Sequence, residues 1–243
     1  MSLDIQRKQT TNKVELAEKG RAPDGSVIAL DRRLFMQFMA FGQAAETEMY
    51  TAALEEAGLN GVVYEDVNDP HGLGLLTFSE APEDFLTRVR PLLRTSPFAG
   101  LSPKPEFTML GRTYAIGYET DLERVLITRP IERVTHPDLR WAVWYPVRRS
   151  GAFEGLSADQ QRTILMEHGG IGRSYGEAGL AYDIRLACFG LDRSDNDFVI
   201  GLLGHDLHPL SALVERMRKT VQTSQYLTNL GPFFVGRAAW QRR

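Results

Sequence analysis

The chain has 243 residues, with 28 Lys and Arg against 31 Asp and Glu, and a formal net charge of −3. It carries no basic block, so it lacks the electrostatic footprint of a protein that binds nucleic acid non-specifically. Its 43% hydrophobic and 24% charged residues are ordinary for a globular chain. One cysteine excludes an intrachain disulfide or a thiolate metal cluster.

Residues 1–28 show no clear apolar pattern and end in the turn signal PDGS; they are expected to form a loosely docked or mobile arm. The polar start and the lack of any run long enough for a membrane span point to a cytoplasmic protein. RRLFMQFMAFG then reads as a strand, and AETEMYTAALEEAGLNG as a helix stopped at Gly58. GVVYEDV and GLGLLTFS are short strands joined by the turn residues NDPHG. APEDFLTRVRPLLR is a second helix that Pro91 bends or breaks, and EFTMLGRTYAIGY a further strand.

The second half repeats this order. LRWAVWYPVRR is a strand; a long helix follows, opened by the capping box Ser157-x-x-Gln160. AYDIRLACFGL and DFVIGLLG are strands, HPLSALVERMRKTV a helix, and GPFFVGRAAW the last strand. LGLLTFSEAPEDFLTRVRPLLR and VIGLLGHDLHPLSALVERMRK align as two copies of one unit. The expected fold class is therefore α+β: a duplicated βαββαβ ferredoxin-like module, with two antiparallel sheets and the helices outside. The expected boundaries are 1–28 for the arm, 29–135 for the first module and 136–243 for the second.

Most chemical motifs fail on inspection. GGIGRSYG lacks the Lys-Ser/Thr ending of a phosphate loop and does not directly follow a strand. His205 and His208 have no further ligand cluster near them and read as helix-start residues. Cys188, in the strand-like IRLACFGL, reads as a small buried hydrophobe. TILMEHGGIGRSYG is different. Ile164, His168, Ile171 and Tyr175 recur at helical spacing, so His168 lies on the core-facing side. Two readings stay open on spacing alone: a core histidine bonded to a carbonyl, or an axial ligand to a flat cofactor. Gly169, Gly170 and Gly172 suit the second, by letting a porphyrin approach the backbone.

WYPVRRSGAF, MEHGGIGRSYG, FGLDRSDNDFVIGLL and LGPFFVG together resemble the chlorite dismutase-like superfamily of haem proteins, most closely its coproheme decarboxylase branch. The resemblance covers the second half; the first half shares only the repeated topology. It implies the duplicated ferredoxin-like fold, and a homopentamer as in the longer members. It implies that iron-coproporphyrin III is bound and converted to haem b by hydrogen peroxide, with His168 as the iron ligand and Tyr145 as the radical-carrying tyrosine. Arg149 falls in the propionate-contacting segment, Arg129 or Arg133 can supply a further contact, and Thr223 lies near a polar position of the family. Thirteen residues after the ligand histidine, where chlorite-degrading members carry a distal arginine, this chain has Ala181. His136 is a candidate distal base. The alternatives are a chlorite dismutase or peroxidase-like haem enzyme, and a non-catalytic haem-binding protein of the same fold.

Overall fold

The computed structural model describes residues 14–243. The described part of the expected arm contains a small ribbon, β1 (Glu18–Arg21) and β2 (Val27–Leu30), folded about the PDGS turn. Residues 1–13 lie outside the described residues. The first ferredoxin-like unit comprises β3 (Phe35–Gly42), α1 (Thr47–Glu56), β4 (Gly61–Asp66), β5 (Leu73–Ser79), a π-helical turn Phe85–Val89 continued by α2 (Arg90–Leu93), and β6 (Ser102–Arg112). A second π-helical turn, Arg124–Thr128, continues into α3 (Arg129–Val134). The second unit has β7 (Trp141–Arg149), α4 (Gly151–Glu154), α5 (Ala158–Glu177), β8 (Tyr182–Ala187), β9 (Phe198–Gly204), α6 (Leu207–Arg218), α7 (Val221–Tyr226), β10 (Leu227–Leu230) and β11 (Phe234–Arg242).

Strand order is β4-β5-β3-β6 in the first unit and β11-β7-β9-β8 in the second, so each runs 2-3-1-4 or its reverse, the ferredoxin-like pattern. The expected sheets are continuous rather than separate. β11 pairs with β4, β6 meets β8 at Arg112↔Ala187, and β7 pairs with β9. Eight strands thus close a ring, with β10 added at the edge of β7. Closure leaves few free strand edges.

Period-two alternation decides what each face holds. Met36, Phe38 and Ala40 of β3, Val62 and Tyr64 of β4, Ala142 and Trp144 of β7, and Phe234 of β11 point into the shared interior. Phe38 stacks on Trp144 at 5.7 Å and meets Phe234 at 4.7 Å. Trp144 faces Gly201 across the β7–β9 pair, where a Cβ would sit 2.5 Å from the indole, so the position admits only glycine. The alternate residues face outward, toward the helices.

Two elements differ from the sequence reading. ITRPIERV, given no element in the sequence reading, is helical: the π-helical turn Arg124–Thr128 runs directly into α3, which holds Pro130. The strand expected through Tyr118 ends at Arg112, where its partner β3 runs out at Phe35.

Candidate active site

The outer face of the second unit is built by strand register. Tyr145 of β7 pairs with Ile200 of β9, and Ile200 pairs with Arg185 of β8. Side chains of directly paired residues share a face, so these three form a row about 10 Å across two strand spacings. Val143, Leu202 and Asp183 form the next row, and Val147, Phe198 and Ala187 the one beyond.

Tyr145 stacks on Phe233 at 4.6 Å, and Arg218 lies over the other ring of that pair, 5.8 Å from the Phe233 centroid. Burial raises the Tyr145 phenol above its ordinary range, so it keeps its O–H at neutral pH. Arg149, four residues on along the same face, packs its guanidinium over Phe153 at 4.3 Å and Phe198 at 5.1 Å. Its Nε is buried without a hydrogen-bond partner among the described residues.

The roof of this face is α5. Its capping box, expected from the sequence, is present with both reciprocal bonds. It ends in a Schellman turn: Gly179 at φ +70, with Leu180 N–H donating to the Tyr175 carbonyl and Gly179 N–H to that of Gly176. Ile164, His168, Ile171 and Tyr175 share its inner side, yet none of the 20 helical residues is buried. Burial lowers the His168 pKa below its ordinary 6.5, and Arg185 and Arg149 of the sheet face add to the effect, so the imidazole is neutral at pH 7.

Glu167 and His168 both reach α7. The Glu167 carboxylate accepts from Val221 N–H at 3.1 Å, and His168 Nδ1 lies 3.2 Å from Thr220 Oγ1. The glycines beside them have a different role from the one expected. Gly169 and Gly170 are exposed, and a Cβ on either would meet nothing; Gly172 lies against Met217 of α6, 3.5 Å from where its Cβ would be. None of the three lines the sheet-facing slot closely.

Arg133 donates to the Asp183 carbonyl at 2.7 Å and stacks over Tyr182 at 5.3 Å. Asp183 also pairs with Arg185 at 2.9 Å. Arg129 lines the same small cleft with Arg133, Arg185, Asp183 and Tyr114, and burial lowers its pKa. The arginines of α3 are therefore linked to the face through Asp183. Thr223 lies in α7, where its N–H donates to Thr220 Oγ1, the cap of that helix.

The structure places two further expected positions. Ala181 is buried in the turn before β8, in the apolar cluster that holds Tyr145, so it brings no polar group to that face. Arg185, seventeen residues after His168, stands in the same row as Tyr145, two strands away across Ile200. Its signal was present: with Asp183 it is one of two charges alternating with Ile184 and Leu186 along the strand. His136 is not a member of the site. It is exposed in the loop before β7, where its Nδ1 accepts from Asp138 N–H. Thr220 carried no signal, because its link to His168 joins residues 52 apart.

The chain is similar in structure to a haem-binding protein from Thermus thermophilus, with 20% identity and a TM-score of 0.66 over 86% of this chain and 92% of the other. It is similar also to a point variant of chlorite dismutase from Candidatus Nitrospira defluvii, with 14% identity and a TM-score of 0.65 over 87% and 93%. At these identities the likeness establishes the fold. Residues 73–239 match the sequence model of the chlorite dismutase family, and those residues hold every side chain of the site just described, so the chain belongs to the chlorite dismutase family.

Proposed function

We propose that this protein binds iron-coproporphyrin III and uses hydrogen peroxide to decarboxylate two of its propionates, giving haem b. The observation that carries the reading is that α5, which bears His168, packs its Ile171 and Tyr175 into the same apolar cluster as Tyr145 of the sheet face. A flat group that carries both a metal and carboxylates suits these residues: a neutral imidazole, an apolar floor at Ile200 and Phe198, and the Arg149 guanidinium, whose buried Nε lacks a partner among the described residues. His168 would hold the iron. Arg149, with Arg129, Arg133 and Thr223, would hold propionates, because buried carboxylates without partners are costly.

Iron porphyrin supplies one-electron oxidising chemistry when it meets peroxide. Tyr145 gives up its O–H hydrogen and then takes one from the β-carbon of the propionate beside it. That propionate loses carbon dioxide and leaves a vinyl group. For each propionate, counted as its acid, one peroxide is reduced to two waters, taking up the two protons and two electrons released. The protein is proposed to work in the cytoplasm as a homopentamer. The outer side of α5, where Leu165 and Met166 are exposed beside Gly169 and Gly170, offers an apolar surface for such contacts.

The test is to load the protein with iron-coproporphyrin III, titrate peroxide and follow pigment mass. Stepwise loss of two carboxyl groups is expected; bleaching without decarboxylation would refute the proposal. A second reading, chlorite dismutation, is favoured by Arg185, a cation on the floor where an oxychlorine anion would sit. Oxygen release from chlorite by the haem-loaded protein, abolished in Arg185→Leu, would support that reading instead.

A further inference from the structure

We infer that Thr220 is a positioning residue that selects the tautomer of His168 and leaves Nε2 bare. The argument is an accounting of one hydroxyl proton. Thr220 Oγ1 lies 2.8 Å from the Met217 carbonyl oxygen, an atom that can only accept. The hydroxyl hydrogen is therefore committed to Met217. Thr223 N–H donates into the same oxygen, which makes Thr220 the cap of α7. His168 Nδ1, at 3.2 Å, faces an oxygen with no hydrogen left to give, so Nδ1 must be the donor. A neutral imidazole with Nδ1–H has its lone pair on Nε2, the nitrogen that can bind a metal. Free imidazole side chains favour the other tautomer, so the threonine imposes the less populated form.

A second consequence follows from charge. Ligand histidines gain basicity when their outer nitrogen donates to a carboxylate. Here the acceptor is a neutral hydroxyl oxygen already engaged at a helix cap. The nearest carboxylate in sequence, Glu167, is bonded to Val221 N–H. Thr220 thus orients His168 without supplying anionic character, and the bound iron should hold a higher potential than with a carboxylate in this place.

This inference rests on the iron-ligand reading of His168 only in its second part, and the experiment separates the two. Nitrogen-15 correlation spectra of the porphyrin-free protein at pH 8 report the tautomer directly. Wild type and Thr220→Ser should show Nδ1–H, and Thr220→Val a shift toward Nε2–H. Protonated Nε2 in the wild type overturns the inference, whatever the protein does with porphyrin. On the iron-porphyrin-loaded protein, Thr220→Asp keeps the helix cap but adds a carboxylate. Its iron(III)/iron(II) midpoint should move negative and its iron–histidine stretch upward, while Thr220→Ser matches wild type. Identical potentials and stretches across Ser, Asp and wild type overturn the electronic part. If no iron–histidine stretch appears in any of them while Nδ1–H is seen, the ligand reading fails and the tautomer assignment survives.

Discussion

The two ferredoxin-like units share one strand order, yet the first long helix of each treats its sheet face differently. In the first, Tyr50 and Leu54 of α1 and Phe85 and Val89 of the following π-turn are buried against Leu73, Leu75 and Val63 of the sheet. In the second, α5 is twice as long as α1, 20 residues against 10, and buries none of its own residues. Its apolar side chains rest on the sheet only partly, and a neutral histidine stands among them. The first face is filled by side chains and serves stability. In the second, α6 supplies the filling with Leu210 and Leu213 over β7 and β9, while α5 leaves its own inner side half-exposed beside β8. The difference lies in which residues face inward rather than in the order of elements.

The comparison can be broken at four points. Tyr145→Phe keeps the ring and its stack on Phe233 but removes the O–H, so iron-coproporphyrin should bind nearly as before. Formation of haem b should fall by on the order of a hundredfold or more, with faster bleaching, because only a step after binding is lost. Mass-resolved product analysis over a peroxide titration decides it; haem b at the wild-type rate would move the radical elsewhere, with Trp144 and Trp141 next to be tested. His168→Ala should weaken porphyrin binding by more than the roughly 10- to 100-fold that loss of an outer-shell partner costs. It should also shift the visible spectrum; an unchanged spectrum and affinity would return His168 to the role of a core residue.

α1 and α5 should also differ in what they add to stability. Leu54→Ala, at a fully buried position, should cost about 2–5 kcal/mol in urea unfolding, while the half-buried Ile164→Ala of α5 should cost about 1 kcal/mol or less. Equal costs would mean that α5 is packed as tightly as α1. The smallest effect concerns pH. The folded-state pKa of His168 is lowered by burial, so below about 6.5 the unfolded chain takes up its proton first. This group's contribution is therefore fully present above that pH and is lost as pH falls toward the folded pKa. His168→Gln should flatten that part of the stability profile between pH 7.5 and 5. A profile as steep as wild type would mean that the imidazole is not desolvated.

The fold was largely legible before the structure. The strands in RRLFMQFMAFG and WAVWYPVRR and the capping box at Ser157 all read correctly, because each is a short-range rule. α3 was not, since Pro130 looks in sequence like a break. The candidate site divided along the same line. His168 and Tyr145 stood out by periodicity and motif; Arg185 did not, because its row with Tyr145 depends on register across β9, and Thr220 was invisible.

Composition, periodicity and the internal repeat were enough to determine a duplicated α+β chain with a histidine on the inner side of its longest helix, since helix and strand periods are properties of neighbours along the chain. Tertiary structure alone decided that the two sheets close into one ring, that Arg185 stands in one row with Ile200 and Tyr145, and that the cap of α7 meets His168. Those facts depend on strand register and on contacts between residues distant in sequence, such as His168 and Thr220, 52 positions apart. A one-residue slip in register sends a side chain to the opposite face, and only the packed sheet settles which face it takes.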